Sequence, residues 1–547
     1  MPHAASWVGS PSIRGSSESL RMGLLTFSMV GLQFTWGIEL TYCTPYLLEL
    51  GLTKSRTALV WIAGPLSGLI MQPVVGILSD RSKSKWGRRR PYMMAGSVIV
   101  ALCLLVLGWA AEIVSLLVSD EATRKSATIA LAVLSLYAID FAINAVQSTC
   151  RSLIVDTLPI PKQQLGAAWE ANRMAGFGHV VGYILGALNL VKIFGTTMGD
   201  TQFKQLCVVS GAALLLAQGI TSYCVTERVL VSSRDAETNV GATKIVSQIL
   251  KTVFHLPRRV QAICWTQFWA WIGWFPFLFY GSTWVGETYL RYSAPEGLKQ
   301  ASDATGLIGR VGSQSLLIFS IVSFAASMLL PWLIKSPEDE KPGAKSRPPR
   351  GLPPLLRKAW RHKPDLLTAW MAAHFVFSFA MLMAPFVQSV AFATLLVALC
   401  GFSWALAGWA PYSFIGVEIN RMDASSTTPS YRRLSTDSAP DALHIDDTGT
   451  LPSPSSSTGE LAGIYLGILN LFTTMPQFVG NFISGVVFTI LEPRKSSELS
   501  GDDDGGITQG NEEGVNAISV CLFIGALCTL GAAYSTRGLR AALQQAD

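Results

Sequence analysis

Residues 127–154 read ATIALAVLSLYAIDFAINAVQSTCRSLI, and this stretch decides the fold. A helix that crosses the hydrocarbon core of a membrane needs about 20 mainly apolar residues. The stretch exceeds that length and carries two charged residues, Asp140 and Arg151. Its polar residues recur at helical spacing, so that they share one face: Asp140, Asn144, Gln147 and Arg151. The stretch therefore predicts a transmembrane helix with a single polar stripe.

The rest of the chain repeats this apolar character. Of its 547 residues, 50% are hydrophobic and 14% are charged, whereas soluble domains carry about 25% charged residues. Long apolar runs without strict alternation favour helices over the strands of a membrane barrel. Twelve spans are predicted: 23–46, 57–78, 92–117, 127–154, 166–193, 205–224, 259–284, 312–334, 365–386, 388–418, 461–491 and 515–536.

Charge in the connecting segments predicts the orientation. The second connection is strongly basic, with Arg81, Lys83, Lys85, Arg88, Arg89 and Arg90. The eleventh is acidic, with Asp502, Asp503, Asp504, Glu512 and Glu513. Because basic connections remain in the cytoplasm, we expect both termini there. The polar N-terminus lacks the apolar core of a signal peptide, so Leu24 onward is the expected first anchor.

The spacing of the spans predicts an all-α membrane protein with two halves of six helices. The expected parts are a cytoplasmic tail at 1–22, a first half at 23–224, a central cytoplasmic loop at 225–258 and a second half at 259–547. Residues 424–459, rich in Ser, Thr, Pro and Asp, form an expected disordered insertion. Within it, Ser435 follows a pair of arginines and is a candidate phosphorylation site. The alternative is an incidental charge pattern in a solvated loop.

Two carboxylates inside predicted spans are candidates for proton coupling. Asp140 lies near the middle of its span, where a carboxylate must pair, hydrate or take up a proton. A group poised in this way can load and unload a proton as access alternates. Glu39, in the first span, is the second candidate. The alternatives are a structural polar role for Asp140 and ordinary hydration for Glu39.

Arg151 lies eleven residues beyond Asp140, or about 16 Å along a helix, too far for a direct pair. Three roles stay open: binding sugar hydroxyls, pairing with a carboxylate on another helix, or extending to the cytoplasmic interface.

Amides and aromatic rings in other spans form a candidate substrate site. Sugars present apolar CH faces with hydroxyl rims, which suit aromatic platforms beside amides. The candidates are Gln33, Asn144, Gln147, Gln267, Trp271, Trp274, Asn470 and Gln477. Interfacial tryptophan belts and hydrogen bonds between helices are the alternatives.

The sequence contains no arrangement that predicts an enzyme. It lacks a phosphate-binding loop, a nucleophile elbow and a zinc-type HExxH motif. The nine cysteines are scattered without metal-ligand spacing. We expect no cofactor and no metal, with the proton as coupling ion, and the net charge of +6 does not indicate nucleic-acid binding.

Several motifs resemble those of sugar carriers. The connection from Gly76 to Pro91, GILSDRSKSKWGRRRP, resembles the loop signature of the major facilitator superfamily. Its S-D-R and W-G-R-R-R-P parts resemble the sucrose transporter branch of the glycoside–pentoside–hexuronide carriers. Further matches are Thr44-Pro45-Tyr46, Trp61 to Pro65, Asp140 to Arg151, Trp274 to Phe277, and Leu466 to Gln477. The long chain with a serine-rich insertion is more similar to fungal α-glucoside permeases than to the plant members.

The resemblance implies roles for individual residues. It implies that Asp140 couples the proton, that Arg151 acts with it, and that Arg310 is a second functional arginine. It also implies a gating loop, in which acid–base pairs hold the cytoplasmic side closed: Gly76, Asp80, Arg81, Gly87, Arg88 and Arg89.

The chain departs from the plant members at two positions. They carry a histidine in the first outer connection, where this chain has Lys54, and they often carry glutamine where it has Glu39. We expect proton-coupled import of sucrose, maltose or a related glucoside. A sugar uniporter and a non-transporting membrane sugar sensor are the alternatives. The expected location is the plasma membrane, with the vacuolar membrane as alternative, and the sequence says nothing about protein partners.

Overall fold

A computed structural model describes residues 6–159, 173–232, 256–294, 304–335, 363–426, 456–492 and 516–544. Helices dominate this part of the chain, because long apolar stretches can satisfy their backbone groups in a membrane only within a helix or a closed barrel.

We group the described helices of the first half into six consecutive segments, which we call passes. The first pass combines α1 (Glu18–Thr26), α2 (Ser28–Ile38), a π-helical segment (Glu39–Cys43) and α3 (Thr44–Glu49). The second combines α4 (Lys54–Val60) and α5 (Ala63–Asp80). The others are α6 (Arg90–Gly108) with α7 (Ala110–Leu117), α8 (Glu121–Thr157), α9 (Ala175–Ala187) with the short α10 (Leu190–Phe194), and α11 (Gln202–Cys224).

The second half repeats this plan. Its passes are α12 (Arg258–Tyr292), α13 (Ala304–Leu333), α14 (Leu366–Leu382) with a 3₁₀ turn at Ala384–Phe386, α15 (Val390–Ser426), α16 (Ser456–Leu491) and α17 (Ala517–Gln544).

The described residues include nine helices that are long and apolar enough to cross a membrane, together with the shorter apolar helix Ala175–Ala187. Large apolar side chains cover their outer surfaces, among them Leu102, Leu134, Leu216, Phe379 and Phe482. Exposed residues of this kind are expected where lipid replaces water as the solvent. The chain is therefore an integral, multi-pass membrane protein.

Each predicted span falls on one of these passes, apart from residues 166–172 and 515, which lie outside the described residues. The predicted break between the spans 365–386 and 388–418 is also confirmed, because the 3₁₀ turn separates α14 from α15 there. The internal breaks were not predicted. The second pass is interrupted at Trp61–Ile62 and the third at Trp109.

The N-terminal tail differs from its prediction. The first helix begins at Glu18 rather than near residue 23, because Ser17 caps it by accepting a hydrogen bond from Leu20 N at 3.2 Å. Two short strand pairs add to the helical fold. β1 (Ser6–Val8) pairs antiparallel with β4 (Val229–Ser232), and β2 (Ser12–Ile13) pairs with β3 (Val225–Thr226). The tail is thus joined to the start of the central connection.

The expected insertion at 424–459 is shorter than predicted, because residues 424–426 continue α15 and residues 456–459 belong to α16. The rest of the insertion, including Ser435, lies outside the described residues.

The helix bundle has two opposite ends. We call them the Arg88 end, which carries the basic connection between α5 and α6, and the Lys54 end, which carries the connection between α3 and α4. The two halves meet where α9 packs against α13, where α4 packs against α16, and where the π-helical segment contacts α12 and α13.

Candidate transport site

The two intramembrane carboxylates lie together. Glu39 and Asp140 are 5% and 3% exposed, and their carboxyl groups lie close enough to interact electrostatically. Two ionised carboxylates buried this close repel each other, which favours a proton on one of the two groups. In the described part of the chain, no lysine or arginine pairs with either carboxyl.

A local irregularity of the first pass presents Glu39 to Asp140. Glu39 is the first residue of the π-helical segment, and such segments are rare and often found at functional sites. Thr41 donates its hydroxyl to the carbonyl of Gly37 at 2.7 Å, which competes with the helical backbone bond there. Pro45 follows closely and lacks a backbone N–H. Together these residues explain why the regular helix does not continue.

The other candidates in the first half lie on α2 and α8, the helices that lead to Glu39 and carry Asp140. Asn144 donates to Ser67 Oγ at 2.8 Å and to the carbonyl of Asp140 at 3.0 Å, which joins α8 to α5. Gln147, one turn further along α8, is buried, as is Gln33 on α2. Gln33 donates to Met29 Sδ at 3.7 Å, a weak contact that leaves its amide capacity for another partner.

The aromatic candidates of the second half lie in one cluster on α12. Trp271 is half-buried and meets Trp404 edge-on at 6.1 Å between ring centroids. Trp274 is fully buried, between Trp404 at 5.0 Å and Phe377 at 4.2 Å. In this conformation Trp271 is therefore the ring with accessible surface, and Trp274 supports it from behind. Gln267, one turn before Trp271, is also buried.

The polar stripe on α16 contributes amides. Asn470 and Gln477 are both half-buried, and Gln477 donates to the carbonyl of Thr473 at 3.0 Å within its own helix. Asn481, on the same face, is buried, and its Oδ1 accepts no hydrogen bond from the described residues. A buried amide oxygen without a donor costs free energy, so this stripe has capacity for a hydroxyl-bearing ligand.

The two candidate arginines lie on different helices. Arg151 is exposed on α8, and Arg310 is half-buried on α13. Arg310 follows Gly309, where a Cβ atom would overlap the ring of Tyr42. Tyr42 belongs to the π-helical segment, so Arg310 lies beside the closest approach of the first and second halves.

The predicted gating loop is a network of ion pairs. Arg88 contacts both oxygens of Asp156, at 3.0 and 2.5 Å, and Arg89 contacts Asp156 at 2.8 Å. Arg89 also donates to Asp80, Ser79 and the carbonyl of Gly76. Arg81 is exposed. Among the described residues these pairs join α5, α6 and α8, three helices of the first half.

Glu227 binds the backbone of the same loop. Its carboxylate accepts hydrogen bonds from the backbone N–H groups of Arg88, Arg89 and Arg90, each at 2.9 Å. These groups lie at the N-terminus of α6, which begins at Arg90, where unpaired N–H groups and the helix dipole favour an anion. Gly87, with φ +107°, brings the loop onto the carboxylate, and a Cβ there would lie 2.7 Å from Glu227 Cδ.

Comparison with known proteins places this architecture in a family. No protein-family model matches the chain. A general alpha-glucoside permease of Schizosaccharomyces pombe is 33% identical over 96% of this chain and 94% of its own length. The chain belongs to the family of α-glucoside permeases and sucrose transporters. A sucrose transport protein of Arabidopsis thaliana is 32% identical over 47% of this chain and 52% of its own length.

Solved structures identify the fold as that of the major facilitator superfamily. A bacterial homologue of the human lysosomal transporter Spinster aligns with a TM-score of 0.54 at 11% identity, covering 97% of this chain and 98% of its own. A D-xylose-proton symporter aligns with a TM-score of 0.50 at 12% identity, covering 95% and 99%. Membership of the family of α-glucoside permeases and sucrose transporters makes the chain a transporter rather than an enzyme.

Sequence reasoning missed several residues of this permease-family chain. Asp156 and Glu227 hold the arginine-rich loop, Ser67 holds Asn144, and Lys54 and Glu287 form an ion pair between the halves. Each makes its contact with a residue distant in the chain, which helical spacing does not reveal. A signal existed for Lys54 and Glu287, because each is a charge close to the end of a predicted span.

Proposed function

We propose that this chain imports sucrose, maltose or a related α-glucoside together with a proton, by alternating access. The relatives are named for alpha-glucoside and sucrose transport. The residues of both halves supply what such a substrate needs, amide groups for hydroxyls and an aromatic ring for a sugar face.

The observation that carries the proposal is the buried pair Glu39–Asp140. Two neighbouring buried carboxyl groups share one proton, because two like charges so close cannot both persist without water. Moving the pair between an outer and an inner aqueous path turns proton sharing into proton transport. Arg151 and Arg310 then act as the cationic groups that stabilise the deprotonated state or the bound sugar.

Substrate enters the cycle between the two halves. Sugar binds among amides and one ring: Gln33, Asn144, Gln147, Gln267, Trp271 and Asn470. Sugar and proton together favour closure around the site and opening to the cytoplasm, since a ligand shifts an equilibrium only through different affinities for the two states. Release of the proton to the cytoplasm then completes uptake against the sugar gradient.

The basic residues of the Arg88 end orient the chain. By the positive-inside rule that end and both termini are cytoplasmic, and the Lys54 end faces outward. We assign the protein to the plasma membrane, where a sugar importer meets external substrate.

The test is external pH during sugar addition. In cells lacking their own glucoside uptake, sucrose or maltose is expected to raise the external pH when this chain is expressed. Asp140→Asn is expected to abolish this alkalinisation at equal surface amount, because an amide cannot carry the proton. Uptake of labelled sugar without proton movement by the native chain would contradict symport and leave a uniporter.

Asp120→Asn is the matched control, since it makes the same change on the same helix. Asp120 caps α8 by accepting hydrogen bonds from the Thr123 hydroxyl and N–H, and these bonds hold the pKa of the Asp120 carboxyl below its ordinary value. The group is ionised throughout the working pH range, and asparagine preserves the cap. Alkalinisation by Asp120→Asn is expected to equal that of the native chain.

A further inference from the structure

A buried lysine connects the two halves at the Lys54 end. The Lys54 side chain is 3% exposed, and its ammonium lies 2.7 Å from Glu287 and 2.9 Å from Glu492. Lys54 begins α4 of the first half, whereas Glu287 lies on α12 and Glu492 follows α16 of the second half. One cation is thus held between two carboxylates that belong to the opposite half.

The second half presents these carboxylates in a built site. Glu287 is 0% exposed and accepts a hydrogen bond from Asn516 Nδ2 at 2.8 Å. Asn516 in turn caps α17 by accepting from Ile518 N at 2.8 Å. Glu492 is 23% exposed, so water contacts the triad from the Glu492 side. Lys54 therefore links its own helix to three helices of the other half.

Neighbouring contacts across the same interface agree. Ser55 and Thr489 are hydrogen-bonded at 2.7 Å, Thr305 donates to Glu49, and Ser282 donates to the carbonyl of Leu40 at 2.9 Å. All join the first half to the second. The halves are closed against each other at this end, whereas the ion pairs described for the loop at the Arg88 end remain within the first half.

We propose that Lys54, Glu287 and Glu492 form the lock of the outer gate, and that their separation opens the transport path to the outside. The proposal rests on alternating access as proposed above. A buried ion pair gains little net stability over its hydrated ions, whereas a buried charge that loses its partner is strongly unfavourable. Such a lock holds the gate closed against partial opening, yet opens fully at small cost once water reaches all three charges.

The chain offers a matched control for this lock. Lys204, on α11, contacts Glu112 and lies 2.6 Å from Asp200. This is again one lysine between two carboxylates at the Lys54 end, but all three belong to the first half. Lys204→Met removes a similar ion cluster without touching the interface between the halves.

The experiment measures access from outside through a reporter cysteine. Ser282 is buried and lies five residues before Glu287, about 7.5 Å deeper along α12. Ser282→Cys is introduced into the native chain, into Lys54→Met, into Lys204→Met and into the charge exchange Lys54→Glu with Glu287→Lys. Intact cells are treated with a membrane-impermeant maleimide, and labelling is corrected for the same variants with Ser282 retained.

In the Lys54→Met background, Ser282→Cys is expected to be labelled about tenfold or more faster than in the native background. Without the Lys54 cation, Glu287 and Glu492 are uncompensated charges in a buried interface, and this favours the open state in which water reaches them. The charge exchange is expected to return labelling towards the native rate, and Lys204→Met to leave it unchanged. Equal labelling of Lys54→Met and native backgrounds, at equal surface amount, would overturn the lock. So would equal acceleration by Lys204→Met, or no recovery in the charge exchange.

The labelling readout needs neither sugar nor proton flux. If the native chain moves no glucoside but the labelling pattern holds, the substrate assignment fails and the gate stands. If glucoside uptake is proton-coupled but labelling is insensitive to Lys54, the gate fails and the proposed function stands.

Discussion

At the scale of single residues, burial decides which charges carry function. Asp140 and Glu39 are buried close together without a cationic partner among the described residues. Lys54 and Glu287 are equally buried, but they compensate each other's charge. The carboxyl pair can take up or release a proton, whereas the ion pair can only form or separate. Two pairs of similarly buried groups thus suit two different tasks, coupling and gating.

Gly87 provides a residue-scale prediction. Its φ of +107° is disfavoured for a residue with a Cβ, and that atom would also meet the Glu227 carboxylate. Gly87→Ala is expected to cost about 1–3 kcal/mol, seen as a lower melting temperature of the purified chain in detergent. Gly76→Ala is the control, since Gly76 lies in the same motif and a Cβ there meets nothing within 4 Å. Equal melting temperatures for the two variants would contradict the strained loop.

At the scale of helices, packing between passes depends on small residues. Gly178, Gly182 and Gly186 recur every fourth residue on α9 and lie at its closest contacts with neighbouring helices. A Cβ at Gly178 would lie 2.7 Å from the carbonyl oxygen of Val30, and one at Gly182 would lie 2.9 Å from the ring of Phe34. A backbone carbonyl within a helix cannot move aside as a flexible side chain can. The α2–α9 contact therefore has no room for a methyl group at Gly178.

Gly178→Ala is accordingly expected to separate α9 from α2, with a loss of about 1–3 kcal/mol and a lower melting temperature in detergent. Gly219→Ala, on α11, is the matched control, because a Cβ there meets nothing within 4 Å and alanine favours helix by about 1 kcal/mol. Its melting temperature is expected to be unchanged or slightly higher. A Gly178→Ala variant as stable as the native chain would contradict the close approach.

The helices also show where prediction from sequence ends. Hydropathy predicted the passes because each one must supply a long apolar stretch. It did not predict the π-helical segment at Glu39, because that irregularity depends on the Thr41 side chain and Pro45 rather than on apolar periodicity. The stripe of Asp140 and Asn144 was predicted from spacing alone. The partner of each, Glu39 and Ser67, lies on another helix, and spacing within one helix carries no information about it.

At the scale of the whole molecule, the contacts between the halves show that the bundle is closed at the Lys54 end. At the Lys54 end, ion pairs and hydrogen bonds join the halves, whereas the arginine network at the Arg88 end joins helices of the first half. The resemblance implied that this network closes the cytoplasmic side. In the present conformation its ion pairs described above join three helices of the first half. The carboxyl pair lies between these ends, on helices of the first half.

The central claim is that Asp140 carries the coupled proton, and that its main role is neither sugar binding nor stabilisation of the fold. The most direct measurement compares two fluxes of labelled maltose or sucrose in membrane vesicles. They are accumulation driven by an imposed proton gradient, and exchange against unlabelled sugar without a gradient. Asp140→Asn is expected to lose accumulation and retain exchange, because exchange needs sugar binding and gate movement but no proton release. Loss of both fluxes in equal measure, with the variant folded and present in the membrane, would contradict the claim, as would full retention of accumulation.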